Sequence, residues 1–358
     1  MVHNTRKAAS LMDVARLAGV SRSTAARVLG GYGSVNGELA SMVEAAAETL
    51  GYRGNALARS VSSGRSNTIG VVVSDIENPF FARAVQGMTA AAKRGGYDVI
   101  LASTAENAEA ERDAVQVFLD KRVDGLIIAA SSRTNTSHLL DVVKMGRPLV
   151  LLDRRPDGVD ADWVGTDSYD EARHMVRHLV EHGHRSIAFI AGTTKTPDQL
   201  EAGHPLPIST IADRVRAIRE TAREAGIAYE FLPGAMTPAE AQSVVREMLS
   251  RAEPPTALIA SYNRLALPAF QAIRAAGLRI PEDMSFVSMD DAEWMTVSSP
   301  GVTAMALPAY ELGERAAEIL IARANGAGPE STSHLLPSVF MDRESVARLN
   351  APVGSSKA

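Results

Sequence analysis

Between residues 66 and 345, short apolar runs alternate with stretches that have the apolar spacing of helices. The runs rich in Val, Ile and Leu lie at 69–73, 99–103, 125–130, 149–152, 187–191, 257–260 and 286–289. A strand that is apolar on both faces must be covered on both, as in a parallel sheet flanked by helices. Because one core rarely extends over a segment of this length, we predict two doubly wound parallel-sheet lobes.

The composition excludes several classes of protein and site. The chain has 358 residues and no cysteine, so disulfides, thiol nucleophiles and thiolate metal sites are excluded. It has no apolar stretch of membrane-spanning length, and its first residues lack the apolar core of a signal peptide. We therefore expect a cytoplasmic protein without a membrane partner.

Three histidines, His174, His178 and His182, recur every four residues on a predicted helix. A metal-binding face is one interpretation of this spacing. Because no HExxH-type pattern is present, we interpret the histidines as part of a solvated helix face and predict neither a metal nor a cofactor.

The segment DVARLAGVSRSTAARVL, residues 13–29, contains two short helical patterns separated by Gly19. Gly19 allows a tight turn, Val20 can fill it from the inside, and Ser21 is a good N-cap for a second helix over residues 22–29. The apolar face of the first helix is formed by Leu11, Val14, Ala15 and Ala18. The second helix directs Ala25, Val28 and Leu29 inward and Arg22, Ser23, Ala26 and Arg27 outward.

A third helix completes this N-terminal unit. Asn36 is its predicted cap, and one face carries Leu39, Met42, Val43, Ala46 and Leu50. Three short helices with one arginine-bearing face are typical of a helix-turn-helix unit, whose second helix can enter a DNA major groove. An alanine-rich bundle with a solvated arginine face would show the same pattern.

Charge separates this unit from the remainder of the chain. Residues 1–65 contain eight Lys/Arg and four Asp/Glu, whereas the other 293 contain 29 and 38. The N-terminal module is therefore basic, at +4, and the body is acidic, at −9. A basic module of this kind attracts polyanions, nucleic acid above all.

Several motifs, in their order and spacing, resemble the lactose-repressor (LacI) family of bacterial transcription regulators. Besides residues 13–29 they are LGYRGNALARSV, IGVVVSDIENPFF, KRVDGLIIAASS, HLVEHGHRSIAFIAG, GLRIPEDMSFVSMDD and LPSVFMDRESV. The resemblance covers essentially the whole chain. It implies a regulator, expected to be a repressor, that binds operator DNA under the control of a small-molecule effector.

The resemblance implies an N-terminal all-α helix-turn-helix domain and an α/β body like that of the periplasmic binding proteins, with two lobes joined by three crossovers. We expect the helix-turn-helix domain at 1–54, a hinge at 55–65, the effector-binding and dimerisation body at 66–346, and a tail at 347–358. Within the body, lobe one is expected at 66–164 and 296–328, and lobe two at 165–295 and 329–346.

By this resemblance, Arg22, Ser23 and Arg27 read base edges, and arginine suits O6 and N7 of guanine. The positions implied to contact phosphates are Ser10, Ser21, Thr24, Tyr52 and Asn55. For Thr24 and Tyr52, local capping or packing is the alternative.

Residues 55–61 match the hinge segment of the family, which forms a helix on the operator and inserts apolar side chains into the minor groove. Asn55, Leu57, Ala58 and Val61 are the expected contacts. Val61 stands where a leucine is usual, so Leu57 is expected to share the wedge. Since one hairpin reads few base pairs, we expect a homodimer on a pseudo-palindromic duplex.

The effector set implied by the resemblance has an aromatic wall and a polar group. It consists of Phe80, Phe81, Asp153, Arg214, Asn263, Arg264 and Asp290. Such a set suits a sugar, a sugar acid or a phosphosugar. Asp153 and Asp290 follow strands, so helix capping is their alternative role.

Arg264 occupies a position where aspartate is common in the family. A guanidinium has five donors and no acceptor, so this exchange predicts an anionic effector. The alternative is that Arg264 pairs with Asp290 or Asp291. The segment at 192–214 is also longer than usual, and we expect it to form a lid over the cleft.

The sequence disfavours two other functions. The chain lacks a phosphate-binding loop of the GxxxxGK[ST] type and a GxSxG nucleophile elbow, and we predict that it is not an enzyme. A solute-binding protein would share the two-lobe body, but a basic helical hairpin would serve no purpose in it.

Overall fold

A computed structural model describes residues 9–30, 33–52, 65–328 and 330–349. Among these residues, no helix has the length and apolar character needed to cross a membrane. The described residues divide into two compact units, one built on the residues up to Thr68 together with Lys121–Asp124 and one on the rest.

The N-terminal unit contains α1 (Leu11–Leu17), α2 (Arg22–Gly30) and α3 (Gly37–Thr49). Ser10 caps α1 in a reciprocal capping box with Asp13, and Asn36 caps α3 through the backbone N–H of Glu38. Gly19 has a φ of +67°, as its predicted turn requires. The core consists of Val14, Ala15, Ala18, Ala25, Val43, Ala46 and Ala47.

The predicted apolar face of α3 is wrong in part. Val43 and Ala46 are buried, but Leu39 and Met42 are 37% and 51% exposed, and Ala47 is buried instead. Since α1 and α2 have only 7 and 9 residues, they cover a narrow stripe of α3. The larger apolar residues lie outside this stripe.

The first lobe of the body is a six-stranded sheet with the order β11-β5-β4-β3-β1-β2. The pairings β1–β3, β3–β4, β4–β5 and β5–β11 are parallel, as predicted. Its elements before the first crossover are β1 (Thr68–Val73), α4 (Pro79–Arg94), β2 (Asp98–Ser103), α5 (Ala108–Asp120), β3 (Gly125–Ile128), α6 (Ser137–Lys144), β4 (Leu149–Leu152) and β5 (Asp162–Gly165).

The second lobe is also six-stranded, with the order β12-β10-β9-β8-β6-β7, and only β12 is shown pairing antiparallel, with β10. Its elements are α7 (Ser168–Glu181), β6 (Ser186–Ile190), α8 (Pro197–Glu201), α9 (Ser209–Ala225), β7 (Ala228–Leu232), α10 (Pro238–Leu249), β8 (Ala257–Ala260), α11 (Asn263–Ala275), β9 (Ser285–Ser288), α12 (Glu293–Val297), β10 (Thr303–Ala306) and β12 (Val339–Met341). Between β10 and β12 the chain returns to the first lobe as α13 (Ala309–Ala324) and β11 (Ser333–Leu335).

Two of the expected lobe boundaries are wrong. Residues 296–306 were assigned to lobe one, but β10 pairs with β9 of the second sheet. Residues 329–335 were assigned to lobe two, but β11 pairs with β5 of the first sheet. Both strands are short, with the sequences TAMA and SHL, so their apolar pattern does not reveal which sheet they join.

Helices α4 and α13 approach each other closely through two glycines. A Cβ added at Gly87 would overlap the carbonyl oxygen of Tyr310, and one added at Gly313 would overlap that of Ala84. Since backbone atoms cannot move aside as a flexible side chain can, both positions require glycine.

We expect Gly87→Ala to lower the free energy of unfolding by about 2 kcal/mol or more, because the added methyl group forces the two helices apart. Urea unfolding, with an unchanged m-value, measures the loss. Gly328→Ala is the matched control, since a Cβ there has no neighbour within 4 Å. Equal stability of the two variants would contradict the close packing.

Candidate functional site

Helix α2 presents the three predicted base-reading residues together. Arg22, Ser23 and Arg27 are exposed, and with Leu11 and Ala26 they line one shallow surface depression. The Ser21 hydroxyl accepts the backbone N–H of Thr24 at 3.1 Å and so begins the helix. The capped start and the buried Ala25 face fix the orientation of α2, so two arginines and a serine face outward on one side.

The predicted phosphate contacts are engaged locally in the structure. Ser10 and Ser21 act as caps, and the Thr24 hydroxyl lies 2.8 Å from that of Ser21. Tyr52 is half-buried against the helical core. For Thr24 and Tyr52 the geometry thus matches the capping and packing alternatives, and phosphate contact stays a prediction. The other predicted contacts, Asn55, Leu57, Ala58 and Val61, lie outside the described residues.

A cavity of about 400 Å³ lies between the two lobes of the body. Its wall is built from loops that follow strands of both sheets, the usual place for ligands in such folds. Six of the seven predicted effector residues line it, namely Phe80, Phe81, Asp153, Arg214, Arg264 and Asp290. The volume suits a small organic molecule.

Asn263, the seventh residue, does not line the cavity. Its side-chain oxygen accepts the indole N–H of Trp294 at 2.7 Å, and its backbone N–H lies 3.3 Å from the Asp290 carboxylate. Asn263 therefore orients Asp290 from behind the wall.

An ion pair that the sequence did not predict lies in the first-lobe wall. Arg154 is buried and donates two hydrogen bonds to Glu106, at 2.6 and 2.7 Å, and a third to the carbonyl of Ala130 at 3.1 Å. Although burial raises the pKa of Glu106, the charge and hydrogen bonds of Arg154 outweigh it, and the pKa is lowered. The LLDRR motif pointed to Arg154, but nothing in the sequence pointed to Glu106.

Asp153 and Asp290 are carboxylic acids in the buried part of the cleft. Burial raises the pKa of both, and that of Asp290 reaches about 6. The charge of Arg214 opposes this rise at both residues. Arg214 donates to the carbonyl of Ser261 at 2.6 Å, and its buried Nε has no hydrogen-bond partner among the described residues. The cleft therefore offers acceptors and a donor within reach of one ligand.

Arg264 is already paired within the cleft. Its guanidinium is hydrogen-bonded to Asp75 and lies 3.8 Å from Glu77, both from the first lobe. The alternative pairing with Asp290 or Asp291 is therefore wrong, and Asp291 pairs instead with Arg343 at 2.6 Å. Because two carboxylates compensate Arg264, it no longer supplies a reason to expect an anionic effector.

The long segment at 192–214 contains α8 and the first residues of α9, and it contributes to the second-lobe wall through Thr193, Pro207 and Ile208. The Pro207 carbonyl accepts the backbone N–H of Arg133, in the first lobe, at 2.6 Å. The segment thus contacts both lobes, and its action as a lid stays a prediction.

The interpretation of the histidines as a solvated face is wrong for His178. This side chain is buried, and the centroid of its ring lies 4.9 Å from that of Phe340 and 4.2 Å from that of His182. The short strand β12 brings Phe340 onto this helix face, which no local pattern reveals.

The raised pKa of Asp290 makes stability depend on pH. Since the folded protein retains this proton to a higher pH than the unfolded chain, where the pKa is near 3.8, the contribution of Asp290 to stability falls between about pH 4 and 6. Asn at this position keeps the acceptor for Asn263 and does not ionise. We therefore expect Asp290→Asn to gain up to about 3 kcal/mol relative to the wild type between about pH 4 and 7, measured by urea unfolding.

Asp283→Asn provides a control of opposite sign. Hydrogen bonds from Arg279 lower the pKa of Asp283 to about 2, so its contribution is present at neutral pH and is lost as the pH falls. A pH-independent difference between Asp290→Asn and the wild type would contradict the burial of an ionisable Asp290.

Two family models match the two parts of the chain. Residues 10–55 match the model of the bacterial regulatory proteins of the lacI family, and residues 176–346 match a periplasmic binding protein-like domain. The HTH-type transcriptional repressor PurR of Aliivibrio fischeri (strain MJ11) is 31% identical over 320 residues, which cover 88% of this chain and 91% of that protein.

Solved structures show the same architecture. The lac repressor dimer bound to operator and the anti-inducer ONPF has a TM-score of 0.80 and 27% identity, covering 95% of this chain and all of the repressor chain. The complex of the transcriptional regulator CelR with cellobiose has a TM-score of 0.68 and 29% identity, covering 94% and 99%. With its exposed arginine face, two-lobe body and full-length relatives, this chain belongs to the lacI family of bacterial regulatory proteins.

Proposed function

We propose that this protein is a repressor that binds a pseudo-palindromic operator as a homodimer and that an uncharged, hydroxyl-rich small molecule in the cleft controls its DNA affinity. The observation that carries the proposal is that one chain combines an exposed Arg22–Ser23–Arg27 face with a cleft lined by buried acceptors. A solute-binding protein would need only the cleft. We propose that this protein acts in the cytoplasm, where operator DNA is found.

The DNA part of the proposal rests on the chemistry of α2. Arginine can donate two hydrogen bonds to the O6 and N7 atoms of guanine, and a serine hydroxyl can contact either type of base pair. One helix reads a few base pairs, so affinity for a defined operator requires two copies. The similar lac repressor is a dimer bound to operator, which supports the same assembly here.

The effector part rests on the charges in the cleft. Arg154 is paired with Glu106 and Arg264 with Asp75, while Arg214 lies in the field of Asp153 and Asp290. The carboxylates of the cleft therefore outnumber its arginines, and an anionic ligand would be repelled. Hydroxyl groups, in contrast, can donate to Asp153 and Asp290 and accept from the guanidinium of Arg214, which also lines the cavity.

The aromatic wall is consistent with a sugar-like ligand. Phe80 and Phe81 lie edge to face, with centroids 5.1 Å apart, and both line the cleft. An aromatic face packs against the C–H groups of a sugar ring while the surrounding polar groups bind its hydroxyls. The similar regulator CelR was solved with cellobiose, a ligand of this class. Because the similar proteins are transcriptional repressors, we propose that the cleft binds a ligand without catalysis.

We expect Arg27→Ala to weaken binding to a duplex selected from a random library by about 30-fold or more, because each bidentate base contact contributes about 1–3 kcal/mol and the homodimer loses two of them. Binding to unrelated duplex should weaken much less. Fluorescence anisotropy at fixed salt concentration measures both affinities. Arg22→Ala should behave in the same way at a different base position.

Arg16→Ala is the matched control for these two variants. Arg16 is an exposed arginine of α1 that lies 3.5 Å from Asp13, so its removal changes net charge equally. It should weaken selected and unrelated duplexes by the same small factor. If Arg22→Ala and Arg27→Ala did no more than this, α2 would not be the recognition helix.

A thermal-shift screen tests the effector class. We expect neutral sugars to raise the melting temperature, and sugar acids and phosphosugars to do so less, because the cleft holds excess carboxylate. Asp153→Asn should reduce the shift, since a charged acceptor to a hydroxyl contributes about 1.5–3 kcal/mol. Asp283→Asn, on the exposed pair with Arg279, should leave the shift unchanged. A shift with organic anions alone would favour the anionic effector over this proposal.

A further inference from the structure

The position of Arg264 suggests a role beyond ligand contact. Arg264 is the second residue of α11 in the second lobe, whereas Asp75 and Glu77 follow β1 in the first lobe. The Asp75 side chain is 14% exposed, that of Arg264 34% and that of Glu77 79%. The three residues thus extend from the cleft wall to solvent, at the edge of the cleft.

Other strong arginine pairs of the body lie within one lobe. Arg154 pairs with Glu106 inside lobe one, and Arg343 pairs with Asp291 inside lobe two. These two pairs can persist whatever the separation of the lobes. The pair between Arg264 and Asp75, in contrast, must break when the lobes move apart.

Two further hydrogen bonds join the lobes. The backbone N–H of Arg133 donates to the carbonyl of Pro207, and that of Arg155 donates to the Ser209 hydroxyl at 2.8 Å. Both use backbone donors of lobe one and lack an ion pair. Substitution of Arg264 therefore removes the ion pair from the lobe interface, while the two backbone-donated hydrogen bonds remain.

From this arrangement we propose that Arg264, Asp75 and Glu77 form a latch that favours the closed arrangement of the lobes independently of the effector. A charge-assisted hydrogen bond that is partly shielded from water is stronger than a pair at the open surface. The second carboxylate, Glu77, keeps the guanidinium neutralised near its closed position. The hydrogen bond to Asp75 also raises the pKa of Arg264, in keeping with a stable pair.

This inference rests on the proposed function, because the latch would regulate ligand binding in the cleft. If it holds, the effector acts on an equilibrium that the chain itself has already shifted toward closure, and ligand affinity reflects the strength of the latch as well as ligand contacts.

Because the sequence contains no cysteine, two spin labels can be attached at introduced cysteines alone. Double electron–electron resonance then measures the distance between them. Spin labels are placed by Ser137→Cys and Ala239→Cys, at exposed positions near the starts of α6 and α10. Both helices follow the carboxyl end of a strand, so the labels lie on the cleft side of opposite lobes. The experiment uses the whole chain without DNA or effector, with labelled chains diluted in excess unlabelled protein so that a homodimer carries one labelled copy. Its outcome therefore does not depend on the proposed function.

In this labelled background we expect Arg264→Ala to lower the ratio of closed to open populations by at least about threefold. Asp75→Asn, which is nearly isosteric, should have the same effect and serves if Arg264→Ala fails to fold. The charge-swapped double variant Asp75→Arg with Arg264→Asp should restore part of the closed population. Arg279→Ala, which breaks an exposed pair within the second lobe, should leave the distances unchanged.

Superimposable distance distributions for the wild type, Arg264→Ala and Asp75→Asn would overturn the latch. So would a matching change in Arg279→Ala, since the effect would then come from lost charge alone. Neither result would bear on DNA recognition or on the effector class.

Discussion

The cleft depends on one constraint, namely that two parallel sheets share a single chain that passes between them three times. The chain leaves the first sheet after β5, returns after β10 and leaves again after β11. Because strands of both sheets end toward the same space, the loops after β1, β3, β4, β6 and β9 all supply residues to one cavity. No single segment contains the site, and the relative placement of the lobes determines its shape.

The charges within this cavity decide which ligand it can take. Burial makes each uncompensated ion costly, so the arginines lie beside carboxylates and the remaining acids, Asp153 and Asp290, have raised pKa values. Such a site exchanges hydrogen bonds with hydroxyl groups at little electrostatic cost. The same reasoning assigns Arg264 to the lobe interface, because its partners come from the opposite lobe.

The sequence predicted those features that depend on local patterns. The three helices, the Gly19 turn, the Asn36 cap and the Val/Ile/Leu strands are each specified by spacing and residue type within a few positions. The family motifs located six cleft residues, because their positions after strands are fixed by the fold. The prediction that α2 directs its arginines outward also follows from helical spacing alone.

What the sequence did not predict depends on partners distant along the chain. The partner of Arg264 lies 189 residues away, that of Arg154 lies 48 away, and the sheet joined by β10 or β11 is set by pairing rather than by apolar content. His178 is buried because β12 returns from a remote part of the sequence to cover it. In each case the spacing of residue types predicts the local helix or strand, whereas the partners across the molecule depend on the tertiary fold.

The proposed regulation requires coupling between the cleft and the DNA-binding unit, and thermodynamic linkage tests this coupling most directly. The affinity for a selected duplex would be measured with and without saturating amounts of the sugar that raises the melting temperature most, and the sugar affinity with and without duplex. We expect the two affinities to change by the same factor, at least about fivefold, as reciprocity requires. Unchanged affinities, with both ligands bound, would show that the two sites are independent and would contradict the proposed regulation.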